Sequence, residues 1–132
     1  MTRLLLAIVA VAVTAFAALS MHARVQAQAP VSAEHVVMTP ADGTLSTRFQ
    51  FAGSGFLPGR NVSVRFIPPD GSERRVREEG VEIVWPVQSD GTFSLDVVPG
   101  QRFPGASPGR WRVLFCVFGS TTCQQLEFDV QP

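Results

Sequence analysis

The sequence of 132 residues has no tyrosine and no lysine, and it has only two cysteines and two histidines. All 11 basic residues are arginines, and 11 acidic residues balance them, so the formal net charge is zero. This balance argues against a nucleic-acid-binding protein, which needs an excess of positive charge. Two cysteines exclude a four-cysteine zinc site. The hydrophobic fraction of 45% is ordinary for a folded protein, and the length suits one domain.

The longest uncharged apolar run covers residues 4–19 and directly follows Arg3. A charged start, an apolar run and then small residues are typical of a secretory signal peptide. Residues 25–27 (Val-Gln-Ala) have small side chains at the positions that a signal peptidase reads, so we predict a helical signal peptide over residues 1–27. The alternative is an uncleaved anchor, but the run has 16 residues and a spanning helix needs about 20.

The predicted mature chain begins with a flexible lead-in at residues 28–33, followed by one folded domain at residues 34–132. We therefore expect a secreted, periplasmic or cell-surface protein that has no membrane attachment once the leader is removed. Short runs of alternating polar and apolar residues fill this domain, and turns rich in Gly, Pro and Asp separate them. Such alternation predicts half-buried antiparallel strands.

The pattern as a whole predicts an all-β fold, a single antiparallel sandwich of about seven strands. The predicted strands span residues 35–39, 46–52, 61–67, 73–77, 81–87, 92–98, 109–118 and 121–130. The predicted core consists of the apolar residues on their inner faces: Phe49, Phe51, Val62, Val64, Phe66, Ile83, Phe93, Leu95, Trp111, Val113, Leu126 and Phe128.

The closing hairpin is the most informative segment. If Gly119-Ser120 forms a two-residue turn, one register brings opposite charges, apolar side chains and both cysteines to facing positions. The predicted pairs are Arg110 with Asp129, Trp111 with Phe128, Arg112 with Glu127, Val113 with Leu126, and Cys116 with Cys123. A shift by one residue would lose all of these matches, so the register is strongly specified.

The two cysteines are predicted to form a structural disulfide, because they face each other on adjacent strands of an exported domain. Six residues separate Cys116 from Cys123, which fits neither a Cys-x-x-Cys redox pair nor a zinc knuckle. The outer face of the hairpin then carries an apolar area around Leu114, Phe118 and the disulfide, which we predict as a contact patch. The alternative is that a loop at residues 101–107 covers this area.

Several glycine turns and strand starts follow one another in a distinctive order. They are Phe49-x-Phe51-x-Gly53-x-Gly55-Phe56-x-Pro58-Gly59, Pro69-Asp70-Gly71, Asp90-Gly91-Thr92-Phe93, Pro108-Gly109-x-Trp111-x-Val113 and Phe128-x-Val130. This series resembles the immunoglobulin-like β-sandwich domains of bacterial exported and surface proteins, over residues 34–131. The resemblance implies a stalk, a spacer or a binding module, and it implies no catalytic residues.

The candidate residues for catalysis or metal binding are few. Outside the leader, His35 is the one histidine available as a base for a Ser–His–Asp triad. The carboxylates at residues 78, 79 and 82 belong to a segment of mixed charge, which is typical of a solvated hairpin. The aspartates at residues 42, 70 and 90 each precede a glycine, as turn residues do, and this explains them better than calcium binding.

We therefore expect no enzyme activity and no cofactor, and we predict a non-catalytic extracytoplasmic binding or assembly module. Its partner would be an unknown protein or an envelope component, with no nucleic acid involved. The alternative is a small periplasmic copper-binding protein that uses His35. That histidine lies just before residues 39–43, a stretch similar to the start of small exported copper-binding β-barrels.

Overall fold

The computed structural model describes residues 33–132, so the predicted signal peptide and nearly all of the predicted lead-in lie outside the described residues. The described part consists of eleven strands and one short helix. They are β1 (His35–Thr39), β2 (Asp42–Thr44), β3 (Phe49–Ser54), β4 (Asn61–Ile67), β5 (Arg74–Arg75), β6 (Arg77–Glu78), β7 (Val81–Glu82), β8 (Val84–Pro86), β9 (Phe93–Val97), α1 (Pro99–Arg102), β10 (Gly109–Val117) and β11 (Cys123–Gln131). Within residues 33–132, no helix has the length and the apolar character needed to cross a membrane.

The strands form two main sheets that pack face to face. The smaller sheet has the strand order β1-β3-β9, and the larger has the order β2-β11-β10-β4-β5, with β8 also paired to β4. The ring of Phe51 in the smaller sheet lies 5.8 Å from that of Phe66 and 5.6 Å from that of Phe115, both in the larger sheet. The predicted all-β class is therefore confirmed. One pair departs from the antiparallel prediction, because β2 runs parallel to β11.

Alternating burial explains why these segments become strands. In β3, Phe49 and Phe51 are fully buried while Gln50 between them is exposed. In β9, Leu95 is buried and its neighbour Asp96 is exposed. Side chains of successive strand residues point to opposite faces, so each strand covers the core with one face and meets solvent with the other. Burial of each such side chain stabilises the fold by about 1.5–3 kcal/mol.

The predicted core is largely confirmed, with two corrections. Ile83 and Leu126 are only half-buried, whereas the other ten predicted residues are buried. Leu126 lies in the first half of β11, which is an edge of the larger sheet because β2 pairs only with residues 129–131. Ile83 lies between β7 and β8, where the chain leaves one sheet for another. Two buried residues were missing from the predicted core: Val76, within the predicted strand 73–77, is 1% exposed, and Phe103, outside every predicted strand, is 3% exposed.

The tip of the closing hairpin differs from the predicted two-residue turn at Gly119-Ser120. The Ser120 N–H donates to the Val117 carbonyl at 3.1 Å, so Phe118 and Gly119 are the central turn residues. Gly119 has a φ of 82°, which a turn of type II requires at its third position. The strand β10 ends at Val117, and the Phe118 N–H still donates to the Asn61 carbonyl of β4 at 2.9 Å. The predicted turn is therefore wrong.

The predicted register of the closing hairpin is nevertheless confirmed. All five predicted pairs are Cα partners in the β10–β11 ladder, from Arg110 with Asp129 to Cys116 with Cys123. The loop at residues 118–122 absorbs the difference at the turn without displacing the strands. Side-chain matching along the strands, rather than the turn type, thus identifies the register here.

Four other predicted segments need correction. The predicted strand 46–52 begins at Phe49, because Thr47 turns the chain back: its hydroxyl accepts from the Thr44 N–H at 2.8 Å. The predicted strands 73–77 and 81–87 each split in two, because their halves pair with different strands. Residues 42–44, predicted as part of a turn, form β2 where the chain passes from the smaller sheet to the larger.

Candidate contact site

Three loops meet at one end of the sandwich, which we call the tip end: residues 55–60, 87–92 and 118–122. They connect β3 to β4, β8 to β9 and β10 to β11. Backbone hydrogen bonds join the first two, from the Phe56 N–H to the Gly91 carbonyl at 3.1 Å and from the Gly59 N–H to the Val87 carbonyl at 3.2 Å. The loops at this end therefore brace one another.

The tip end exposes two large apolar side chains. Leu57 is 59% exposed and Phe118 is 53% exposed. The bond from the Phe118 N–H to the Asn61 carbonyl fastens the hairpin tip to the first residue of β4, directly after the loop that carries Leu57. Exposed apolar side chains on fixed loops at one end of a domain are typical of a contact surface.

The structure separates the two residues of the predicted contact patch. Leu114 is half-buried in the middle of β10, with Arg65 and Gln125 as its partners on the neighbouring strands. Phe118 lies beyond the end of β10, in the exposed turn. Sequence reasoning missed Leu57, although an apolar residue directly before the Pro58-Gly59 turn was an available signal.

The predicted disulfide is present and joins β10 to β11 near the tip end. On the outer face of the sheet, Nη2 of Arg65 lies 3.2 Å from Sγ of Cys116, and Nη1 lies 3.5 Å from Oε1 of Glu73. A guanidinium therefore lies over the disulfide, where the sequence suggested an apolar surface. Residues 101–107, the predicted alternative cover, lie elsewhere, because the Ser107 carbonyl accepts a hydrogen bond from Trp111 Nε1 at 3.0 Å.

Charges on the outer face of the hairpin pair differently from the prediction. Arg110 contacts both carboxylates, at 2.9 Å from Glu127 and 3.4 Å from Asp129. The pKa of the Arg110 guanidinium is raised, first by the hydrogen bond to Glu127 and then by the charge of Asp129. Arg112 faces Glu127 in the ladder but makes no ion pair among residues 33–132. One arginine therefore pairs with both carboxylates at the end of the hairpin opposite the tip.

A serine and a histidine lie close together beside the tip end. Oγ of Ser54 is 3.0 Å from Nε2 of His35 and 3.4 Å from its Nδ1. An oxygen this close to both ring nitrogens lies beside the ring edge between them, off the axis of the Nε2 lone pair. A general base needs its lone pair directed at the proton that it removes. The pair therefore lacks the alignment of an activated nucleophile.

Asp90 lies in the same shallow depression as this pair, but its carboxylate is already engaged. Its Oδ1 accepts from the Thr92 hydroxyl at 2.6 Å and from the Thr92 N–H at 3.1 Å. These two bonds lower the pKa of Asp90, the side-chain bond contributing most. Asp90 therefore stabilises its own turn and does not orient His35.

The predicted copper ligand has few companions. His35 is exposed at the start of β1, and its Nδ1 lies 3.0 Å from the Ala33 carbonyl oxygen. No group of three His, Cys, Asp or Glu side chains within residues 33–132 is arranged to hold a metal ion. Both cysteines are bonded to each other, and Met38 is half-buried against the core. The described residues thus offer one side chain where copper needs several.

A groove of about 520 Å³ runs along the outer face of the smaller sheet. Its floor contains the small residues Ala52, Gly53 and Ser94, and Trp85 of β8 forms one wall. Residue 53 is a glycine because the ring of Phe93, on the core side of the sheet, fills the space that a side chain there would occupy. This groove is a second concave surface, adjacent to the tip end.

No protein-family model matches this chain, and no curated protein is similar to it in sequence. Its fold is similar to the crystal structure of a tetra-tandem repeat in the extending region of a large adhesion protein, with a TM-score of 0.51 and 17% identity. That match covers 73% of this chain and 23% of the adhesion-protein chain. Macromomycin is similar with a TM-score of 0.51 and 12% identity, over 75% of this chain and 100% of its own. Both likenesses concern the fold alone: the chain is similar to other all-β proteins.

Proposed function

We propose that this chain is a non-catalytic extracytoplasmic module that binds a protein partner or envelope component through its tip end. The observation that carries the proposal is the exposure of Leu57 and Phe118 on loops that are braced by backbone hydrogen bonds. Aromatic and aliphatic anchors near the centre of an interface supply most of its binding free energy. Leu114, half-buried farther along β10, belongs to the margin of this surface.

The fixed loops favour such a role. A binding surface that is already ordered loses less conformational entropy when a partner arrives, so more of the contact energy appears as affinity. The Phe118 backbone is bonded to Asn61, and the neighbouring loop is bonded through Phe56 and Gly59. Two exposed anchors of this kind suit a specific contact rather than a flexible spacer.

The proposal also includes an extracytoplasmic location and an immunoglobulin-like type of sandwich. The orders β1-β3-β9 and β11-β10-β4 correspond to the A-B-E and G-F-C strands of an immunoglobulin-like sandwich, which supports that finer assignment. The Cys116–Cys123 disulfide supports an oxidising environment outside the cytoplasm, in agreement with the predicted signal peptide. The likeness to a repeat from an adhesion protein supports an assembly role in a bacterial exported protein.

The experiment compares capture of envelope proteins by the wild type and by charged variants at exposed apolar positions. Phe118→Asp and Leu57→Asp should each abolish recovery of a partner, because a carboxylate would be buried at the contact. Val81→Asp is the matched control, since Val81 is 69% exposed on the separate β6–β7 hairpin. Equal recovery by all three variants and the wild type would contradict a contact at the tip end.

A further inference from the structure

Three arginines from separate parts of the chain line a single pocket on the side of the sandwich. Arg48 precedes β3, Arg77 lies in β6 and Arg102 ends α1. The pocket has a volume of about 260 Å³, and Asp96 and Gln101 are also part of its lining. Three positively charged side chains around one pocket repel one another, which costs free energy.

The backbone around this arginine pocket is fixed by hydrogen bonds. The Gly100 N–H donates to the Leu45 carbonyl at 2.8 Å, which ties α1 to the segment before β3. A side chain at residue 100 would approach that carbonyl to 2.9 Å, so only glycine permits the contact. The Arg102 N–H donates to the Val98 carbonyl at 2.9 Å. The two elements that carry Arg48 and Arg102 are therefore held together.

These guanidinium groups have weak partners compared with other arginines of the chain. Arg48 is 3.7 Å from Asp96, and Arg102 is 4.0 Å from Glu78. Arg77 donates only to the Gly80 carbonyl, at 3.3 Å, and has no ion pair among residues 33–132.

Arg75 and Arg110, in contrast, lie 2.8 and 2.9 Å from Glu82 and Glu127. These two arginines are satisfied by carboxylates of the chain itself. The arginine pocket thus retains several unused N–H donors that point to no strong acceptor in the described part.

We propose that the pocket lined by Arg48, Arg77 and Arg102 binds a tetrahedral phosphate dianion, either free or as a small phosphate monoester. Guanidinium groups present paired donors that match two oxygens of a phosphate at once. The three guanidinium charges exceed the two carboxylates of Asp96 and Glu78 by one, so the pocket is positive on balance and a dianion gains more than a monoanion. Because these carboxylates oppose binding and the site is exposed, the expected Kd is about 1–10 mM.

The test is a titration of the ¹⁵N-labelled full chain with sodium phosphate at constant ionic strength. The amide chemical shifts are recorded at each phosphate concentration. The expected result is a saturable shift of the amides of residues 77, 101 and 102. Glycerol 3-phosphate distinguishes a monoester ligand from free phosphate, and acetate serves as the monoanion comparison. Shifts that rise linearly without saturation, or equal shifts with acetate, would overturn the proposal.

Single substitutions locate the site by their effect on the Kd, without relying on which amides shift. Arg77→Gln and Arg102→Gln should each raise the Kd at least about 5-fold, a loss expected for one charge-assisted contact. Asp96→Asn should lower the Kd, because it removes a competing carboxylate. Arg112→Gln is the control, since it removes an equal charge from the outer face of the larger sheet. A Kd that rises as much for Arg112→Gln as for Arg77→Gln would show only a general charge effect and would contradict the site.

Discussion

Two phenylalanines in loops at opposite ends of the sandwich have opposite environments. Phe118 at the tip end is 53% exposed, whereas Phe103, which follows α1, is 3% exposed. We call residues 98–108 the plug, because they close the end of the core opposite the tip. The ring of Phe103 lies 5.1 Å from that of Phe66 and 5.9 Å from the indole of Trp111.

The difference shows that a loop aromatic residue is buried where the core leaves space for its ring. The residue type alone does not decide its burial. At the tip end the core is already sealed by Phe56 and Phe93, whose rings are 4.9 Å apart. At the plug end Phe103 has the same role: it enters the core from the loop and packs against Phe66 and Trp111. Phe118 has no place in the core and is left for solvent or for a partner.

The largest expected effect comes from the residue beneath the plug. Trp111 is fully buried and contacts Phe103 and Phe128, so Trp111→Ala should cost about 3–5 kcal/mol of folding free energy. Since a domain of this size has a total stability of about 5–15 kcal/mol, the loss is severe. Chemical denaturation measures it directly. An unchanged midpoint would mean that the core is arranged differently.

Alanine substitutions of Phe103 and Phe118 test the difference between plug and tip directly. Phe103→Ala should destabilise by about 3 kcal/mol, because it leaves a cavity against Phe66 and Trp111. Phe118→Ala should change the stability by less than about 0.5 kcal/mol, as expected of an exposed position. Thermal unfolding of the two variants side by side gives the answer. Similar losses in both would refute the distinction between plug and tip.

The disulfide fastens the strands that lead to the tip. Cys116 and Cys123 lie seven positions apart, and the closure of this short loop accounts for about 2.5 kcal/mol in the chain-entropy model. The double variant Cys116→Ser/Cys123→Ser should lose about that amount in denaturant titrations. The plug should remain intact in it, so in a Trp85→Phe background, where Trp111 is the remaining tryptophan, the near-ultraviolet circular dichroism of Trp111 should keep its native form. Loss of that signal under native conditions would contradict the expectation that the disulfide acts only near the tip end.

The smallest expected effect is the loss, at low pH, of the stability that two similar turns contribute. Asp70 and Asp90 both have a lowered pKa, in each case chiefly because a hydroxyl two residues later, on Ser72 or Thr92, donates to the carboxylate. A lowered folded pKa means that each turn contributes stability above the unfolded pKa of 3.8 and loses it as the pH falls through the folded value.

An NMR titration of the carboxyl carbons should find both midpoints below 3.8. Thr92→Val should raise the pKa of Asp90 toward that value and leave Asp70 unchanged, because only the donor at the tip end is removed. If this substitution leaves the pKa of Asp90 unchanged, the lowered pKa has a cause other than the Thr92 hydroxyl.

Parts of both sheets could be predicted, because the side chains of neighbouring strands match each other and each strand alternates polar and apolar residues. The β10–β11 register followed from charges, apolar residues and thiols, and the bounds of β1 and β4 match the predicted residues 35–39 and 61–67. The plug could not be predicted in the same way. The burial of Phe103 depends on a vacancy beside Trp111 that only the assembled sheets define.

The candidate site was predicted only in part. Phe118 was found because it shares the hairpin with the cysteines, but its link to Leu57 depends on a bond between distant segments, from the Phe118 N–H to the Asn61 carbonyl. The convergence of Arg48, Arg77 and Arg102 has no sequence signal at all, since these residues are 25 or more positions apart. Long-range packing sets both features.

The parallel pairing of β2 with β11 has a mechanical consequence. Asp42, Gly43 and Thr44 pair with Asp129, Val130 and Gln131, close to the two ends of the folded part. When the ends are pulled apart, β2 is drawn toward its amino end and β11 toward its carboxyl end. Because the strands run in the same direction, the tension loads their hydrogen bonds in shear, all at once rather than one after another, and the sandwich resists extension at this seam.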